Sequence, residues 1–81
     1  MNDYRPISCE TYDHYEIAIL HGQRLRVTWR DGDALSHVEV VQPYDLQTRN
    51  GAEYLLAHTQ SGRALELRLD QIAHAQVLET T

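Results

Sequence analysis

Three carboxylates at i, i+3 and i+6, Glu10, Asp13 and Glu16, form the clearest chemical pattern in this 81-residue chain. On a helix that spacing draws them into one row, an acidic strip able to make charge-assisted hydrogen bonds to arginine or lysine side chains of another molecule. Glu10, in the first turn, has a plainer alternative role as a favourable charge at a helix N-terminus. Tyr12 and Tyr15 flank the row. They are either core-facing residues or aromatic anchors that give a charged contact its desolvated centre.

A second pattern has the opposite sign. In the segment 23–30, Leu25, Val27 and Trp29 alternate with Arg24, Arg26, Thr28 and Arg30, so Arg24, Arg26 and Arg30 share one side of a strand. Such a side suits RNA phosphates or an acidic partner. Alternatively, the nearby Asp31, Asp33 and Glu39 neutralise it across a hairpin.

Catalytic and metal chemistry find little support. The chain lacks G-x-S-x-G, a P-loop, a glycine-rich dinucleotide fingerprint and H-E-x-x-H. Its five histidines, His14, His21, His37, His58 and His74, include no i, i+3 or i, i+4 pair. His14 and His21 sit two turns apart on one helix face, about 10 Å by the helical rise, too far to hold one ion. No catalytic residue, metal ligand or cofactor is assigned. Cys9 lies near a helix start that lowers a thiol pKa, but a single thiol without a resolving partner reads as a packing residue.

The elements that position these groups follow from local signals. Ser8 is a suitable N-cap and Gly22 a suitable left-handed terminator, so a helix is expected over 8–21. Tyr12, Tyr15 and Ile19 fall on its docking side. Ahead of it lies an arm, 1–7, in which Pro6 biases Arg5 toward extended backbone and Ile7 can staple onto the helix. Asp3 and the residues before it are expected to fray. The rest, 23–78, reads as strands. Segment 23–30 and Leu35–Val41 form a hairpin around Asp31-Gly32-Asp33. Residues 42–52, with Pro43, Asp45, Asn50 and Gly51, are expected to be a loop containing one helical turn. Glu53–Thr59 is a more buried strand, Arg63–Asp70 a strand with three leucines on one side, and Ile72–Leu78 the last strand, followed by a loose end at 79–81. The fold class is therefore mainly β with one N-terminal α-helix, in one domain, as a strongly bent antiparallel sheet of five strands closing toward a small barrel.

Charge bounds the partner. The net charge of −5 is uneven: residues 1–22 hold four acids against one arginine, and the remaining 59 hold eight against six. A negative field repels phosphate backbones and attracts basic surfaces, so a basic protein partner is expected and direct nucleic-acid binding is not, ordinary solubilising charge being the plain alternative. No apolar run exceeds four residues, so no segment is expected to cross a membrane. One cysteine and no signal-peptide pattern make a cytoplasmic protein the expectation.

The order of several segments is itself informative. Tyr4-Arg5-Pro6-Ile7-Ser8-Cys9, then Tyr12-Asp13 and Glu16, Asp31-Gly32, Glu53-Tyr54-Leu55 and Glu66-Leu67-Arg68-Leu69-Asp70-Gln71-Ile72 together resemble the Rof family, also called YaeO, over residues 4–72. These are small bacterial inhibitors of the transcription termination factor Rho. The resemblance implies an Sm-like barrel with an N-terminal helix. It also implies a non-enzymatic protein that binds the RNA-binding N-terminal domain of Rho and blocks RNA loading; a monomer is expected for the free protein. By position, Glu10, Asp13 and Glu16 would make that contact. The segment between Leu35 and Tyr54 is longer than the family pattern, and the chain has no lysine, so loop contacts do not carry over.

Overall fold

A computed structural model describes residues 4–78; the expectations for Asp3 and earlier residues and for 79–81 lie outside the described residues. Helix α1 spans Cys9–Leu20. It starts where the cap chemistry demands: Ser8 is extended (φ −67°, ψ 153°), and its Oγ accepts the Thr11 N–H at 3.2 Å. It stops through two bonds of a Schellman closure, Gln23 N–H to Ala18 O at 2.9 Å and Gly22 N–H to Ile19 O at 3.2 Å, with Gly22 at φ +64°.

Five strands follow: β1 (Arg24–Arg30), β2 (Ser36–Arg49), β3 (Ala52–Thr59), β4 (Ala64–Arg68) and β5 (Ile72–Leu78). They form one antiparallel sheet in the order β4-β3-β2-β1-β5. The sheet is open, with β4 and β5 as its edges, so the barrel expected from the sequence is approached but not closed. Alternation in β1 buries Leu25, Val27 and Trp29 as predicted. They meet Tyr15 and Ala18 of α1, with Val41, Leu55, Ala57, Leu67 and Leu69, in a single core. Ile7, directly before the cap, packs on this core together with Tyr12, the arrangement expected of a staple.

Two expectations are corrected. Residues 42–52 are not a loop with a helical turn. β2 continues through Pro43 to Arg49, and only Asn50-Gly51 turn back into β3. Pro43 is tolerated because the register shifts between Pro43 and Asp45, a bulge lying beyond the last β1 pair, Leu25 with Val41. Asn50 (φ +50°) and Gly51 (φ +78°) form the two-residue hairpin connection for which Asn-Gly is the strongest short signal. Second, the strand expected over 63–70 covers only Ala64–Arg68, because Leu69–Gln71 make a 3-10 turn. Leu69 is still buried, at 1 % exposure, but from the turn.

Gly51 thus occupies a left-handed position where a Cβ is strained, whereas Gly32 has ordinary backbone and open space around it. Gly51→Ala is expected to destabilise by about 1–2 kcal/mol, and Gly32→Ala by nothing or to stabilise slightly. Urea denaturation with unchanged m-values checks both.

Candidate acidic interface

The caps of α1 fix which way its side chains point. Tyr15 (5 % exposed) and Ala18 (0 %) enter the core, while Tyr12 and Ile19 are half-buried against it. Glu10, Asp13 and Glu16 are all exposed, so the row predicted from spacing is presented to solvent as one strip. Tyr15 is corrected as a contact candidate: as a core residue it has almost no surface to offer, and burial pushes its phenol pKa up. Two large apolar residues share the outward face, Ile17 (47 % exposed) and Leu20 (80 %), a feature missed in reading the carboxylates alone.

The acidic surface does not end at the helix. Tyr12 has its phenol pKa raised first by burial and then by three carboxylates from three elements: Glu53 of β3, Glu16 of α1 and Asp45 of β2. Asp13 and Glu53 line a shallow depression of ≈ 240 Å³ with Ile7, Cys9 and Tyr12. On the other side of Tyr12, a groove lined by Tyr12, Glu16, Ile19, Leu20, Asp45 and Leu46 runs between α1 and β2. Asp45 and Glu53 therefore belong to this candidate acidic surface, which sequence spacing did not reveal. They lie far from the helix in the chain, and only the sheet brings them to it.

The N-terminal arm fastens this surface. The Tyr4 hydroxyl donates to Glu53 Oε1 at 2.8 Å, and the Arg5 N–H donates to Asp70 Oδ2 at 3.1 Å. Asp70 also receives two guanidinium bonds from Arg68, at 2.6 and 2.8 Å, and that guanidinium lies 5.7 Å from the Tyr4 ring centre. Arg68 beside it holds the Asp70 carboxyl below the usual carboxylate range, while burial and then Glu53 raise the Tyr4 phenol.

The arginine side of β1 is also exposed at Arg24, Arg26 and Arg30. The neutralisation weighed from the sequence does not occur. Asp31 Oδ2 contacts His37 Nε2 at 2.7 Å, and Glu39 accepts from Arg63 at 3.1 Å. Register gives the reason: Glu39 stands opposite buried Val27, whereas Arg26 stands opposite Val40, on the other side of the sheet. Among the described residues none of the three arginines has a carboxylate partner. Nor does any group of three or more His, Cys, Asp or Glu side chains converge on a metal-sized site among them. Among the described residues no helix is long and apolar enough to cross a membrane.

Residues 6–81 match the family described as "Modulator of Rho-dependent transcription termination (ROF)". The chain belongs to the ROF family. It is 40 % identical over 73 residues to "Protein rof" of Escherichia coli (strain K12), an alignment covering 89 % of this chain and 81 % of that protein, and equally similar to "Protein rof" of Shigella flexneri. Among solved structures, part of "Proteasome accessory factor B/C (PafBC) of Arthrobacter aurescens" superimposes with a TM-score of 0.77 at 19 % identity, covering 93 % of this chain and 12 % of that one. At that identity the likeness concerns the fold alone. Membership accounts for the segments that resembled Rof in sequence. Two of them, Tyr4-Arg5 and Arg68-Leu69-Asp70, are the two ends of the arm network.

Asp70→Asn is expected to destabilise by about 1–2 kcal/mol, since it removes a charge-assisted pair shielded from water. Because the folded pKa is depressed, ionised Asp70 contributes its full stabilisation above the ordinary value of 3.8 and loses it as pH falls from there through the lower folded value. Thermal melts of both proteins from pH 6 downward check this: the gap between them should narrow as the acid limb is descended.

Proposed function

We propose that this protein inhibits Rho-dependent termination by laying the outer face of α1 on the RNA-binding N-terminal domain of Rho and so blocking RNA loading. The observation that carries the reading is the set of carboxylates that α1, β2 and β3 gather around Tyr12, with exposed Leu20 and Ile17 on the outer face of the same helix. A domain that captures single-stranded RNA needs cations for phosphates and aromatic faces for bases. Carboxylates from three elements compete for the cations, and exposed apolar side chains suit the rest. Each rim pair contributes only ~0.2–1 kcal/mol, so charge steers the encounter while an apolar anchor holds it. The mechanism needs neither a cofactor nor a covalent step.

Displacement of a fluorescent pyrimidine-rich RNA from Rho, at low and high salt, tests the proposal. Displacement should weaken with salt. Asp13→Arg and Glu16→Arg should each cost about tenfold or more in affinity, since reversal replaces an attraction with a like-charge repulsion. Rho that keeps its RNA at every concentration of the protein would sink the reading.

A second reading has its own observation. Among the described residues Arg24, Arg26 and Arg30 have no carboxylate partner, and exposed Tyr44 stacks on His58 at 4.6 Å between ring centres. His58 stands opposite Gln42, on the arginine side of the sheet, so cations and a ring pair share one face, as RNA-binding sheets require. This reading expects the isolated protein to shift labelled RNA and Arg24→Glu with Arg26→Glu to abolish the shift. Occlusion expects no shift.

A further inference from the structure

We propose that the groove between α1 and β2 is the anchor point of the acidic surface and takes one arginine or lysine side chain of Rho, apolar stem and charged head together. This rests on the Rho-binding reading and specifies how that surface is engaged. The groove has a volume of ≈ 400 Å³ and opens at the last turn of α1. Its floor is apolar, from Ile19 and Leu46, both packed on the core, and one wall is Leu20, the most exposed large apolar residue described, at 80 %. Its walls carry two carboxylates, Glu16 on the helix and Asp45 on the strand.

Neither carboxylate has a cationic partner among the described residues. Asp45 Oδ1 accepts the Leu46 N–H at 2.8 Å, a bond that sets the orientation of its carboxylate. No cationic side chain lines the groove among the described residues. The chain has no lysine, Arg49, Arg63 and Arg68 are engaged by Glu66, Glu39 and Asp70, and Arg24, Arg26 and Arg30 lie on the exposed side of β1.

The lining selects its guest by elimination. A purely apolar side chain would desolvate Glu16 and Asp45 without compensation. A small hydrated cation would leave Leu20 and Leu46 wet. A long cationic side chain satisfies both, its methylenes on the leucines and its head between the carboxylates. The position adds a third attraction, because the C-terminal end of a helix is its negative pole.

Calorimetric titration of full-length Rho with the full chain, at two salt concentrations, tests this with variants that spare the fold. Leu20→Ser removes only exposed apolar surface, and Asp45→Asn keeps the Oδ1 acceptor for Leu46. Circular dichroism and melting temperature should match the parent for both. The expected result for Leu20→Ser is a loss of about tenfold in affinity with the salt slope unchanged. For Asp45→Asn and Glu16→Gln it is about fivefold each, with a shallower salt slope. Three outcomes overturn the proposal in distinguishable ways. If the parent binds and Asp13→Arg weakens it while Leu20→Ser and Asp45→Asn bind as the parent does, the surface stands and the groove is not its anchor. If Leu20→Ser alone weakens binding, the guest is apolar rather than cationic. If the parent itself does not bind Rho, the reading beneath the proposal fails.

Discussion

Everything in this fold depends on one strand serving two partners. β2 pairs with β1 from Ser36 to Val41 and with β3 from Val41 to Arg49, and its register slips between Pro43 and Asp45, just beyond the last pair with β1. A bulge bends and twists the strand that carries it. Here it lies within the ladder to β3, just past the part of the sheet formed with β1 and β5, and α1 docks chiefly on β2. The core residues of the sheet then meet beneath Tyr15 and Ala18. The same bulge sets Asp45 directly after it, at the edge of the groove beside the helix. Core and candidate site are thus consequences of one irregularity.

The second organising feature is the separation of charge by sheet register. Along β1 the arginines take the positions opposite Ser36, Val40 and Leu78, while Glu39 is opposite Val27 on the side that holds the core. Carboxylates collect instead where α1 meets β2 and β3, around Tyr12. A molecule with a net charge of −5 therefore has one strongly acidic face and one locally basic face. Such a distribution orients an approaching partner before contact, because the long-range field is directional even where individual pairs are weak.

The arm shows how a short, irregular segment is held without secondary structure. Tyr4 and Arg5 are joined to Glu53, Arg68 and Asp70 by hydrogen bonds and a ring contact, and Ile7 packs on the core. These bonds lead the chain to Ser8 at a defined angle, and the cap does the rest. The orientation of the acidic strip is in this sense set from 3-10 turn to arm to helix, each step local, although the turn and the arm lie at opposite ends of the sequence.

What the sequence determined by itself is what local physics controls. Ser8 and Gly22 bounded the helix, strict alternation marked β1, and the spacing of Glu10, Asp13 and Glu16 put all three on one exposed row. The ordered segments also sufficed to point to the family. Local reasoning failed where a non-local partner overrode propensity: Pro43 and Asp45 signal a loop, yet β3 pairs with them, and Asn50-Gly51 was absorbed into that loop although it is the hairpin turn. It also left open which tyrosine is core, because helical spacing gives Tyr12 and Tyr15 nearly the same direction and only the depth of the sheet beneath distinguishes them. Tertiary structure alone decided that Asp45 and Glu53 join the acidic surface and that Arg24, Arg26 and Arg30 have no carboxylate partner among the described residues. The reason is physical: periodicity fixes which side of an element a residue faces, but which faces meet is fixed by strand register, and register is a property of the assembled sheet.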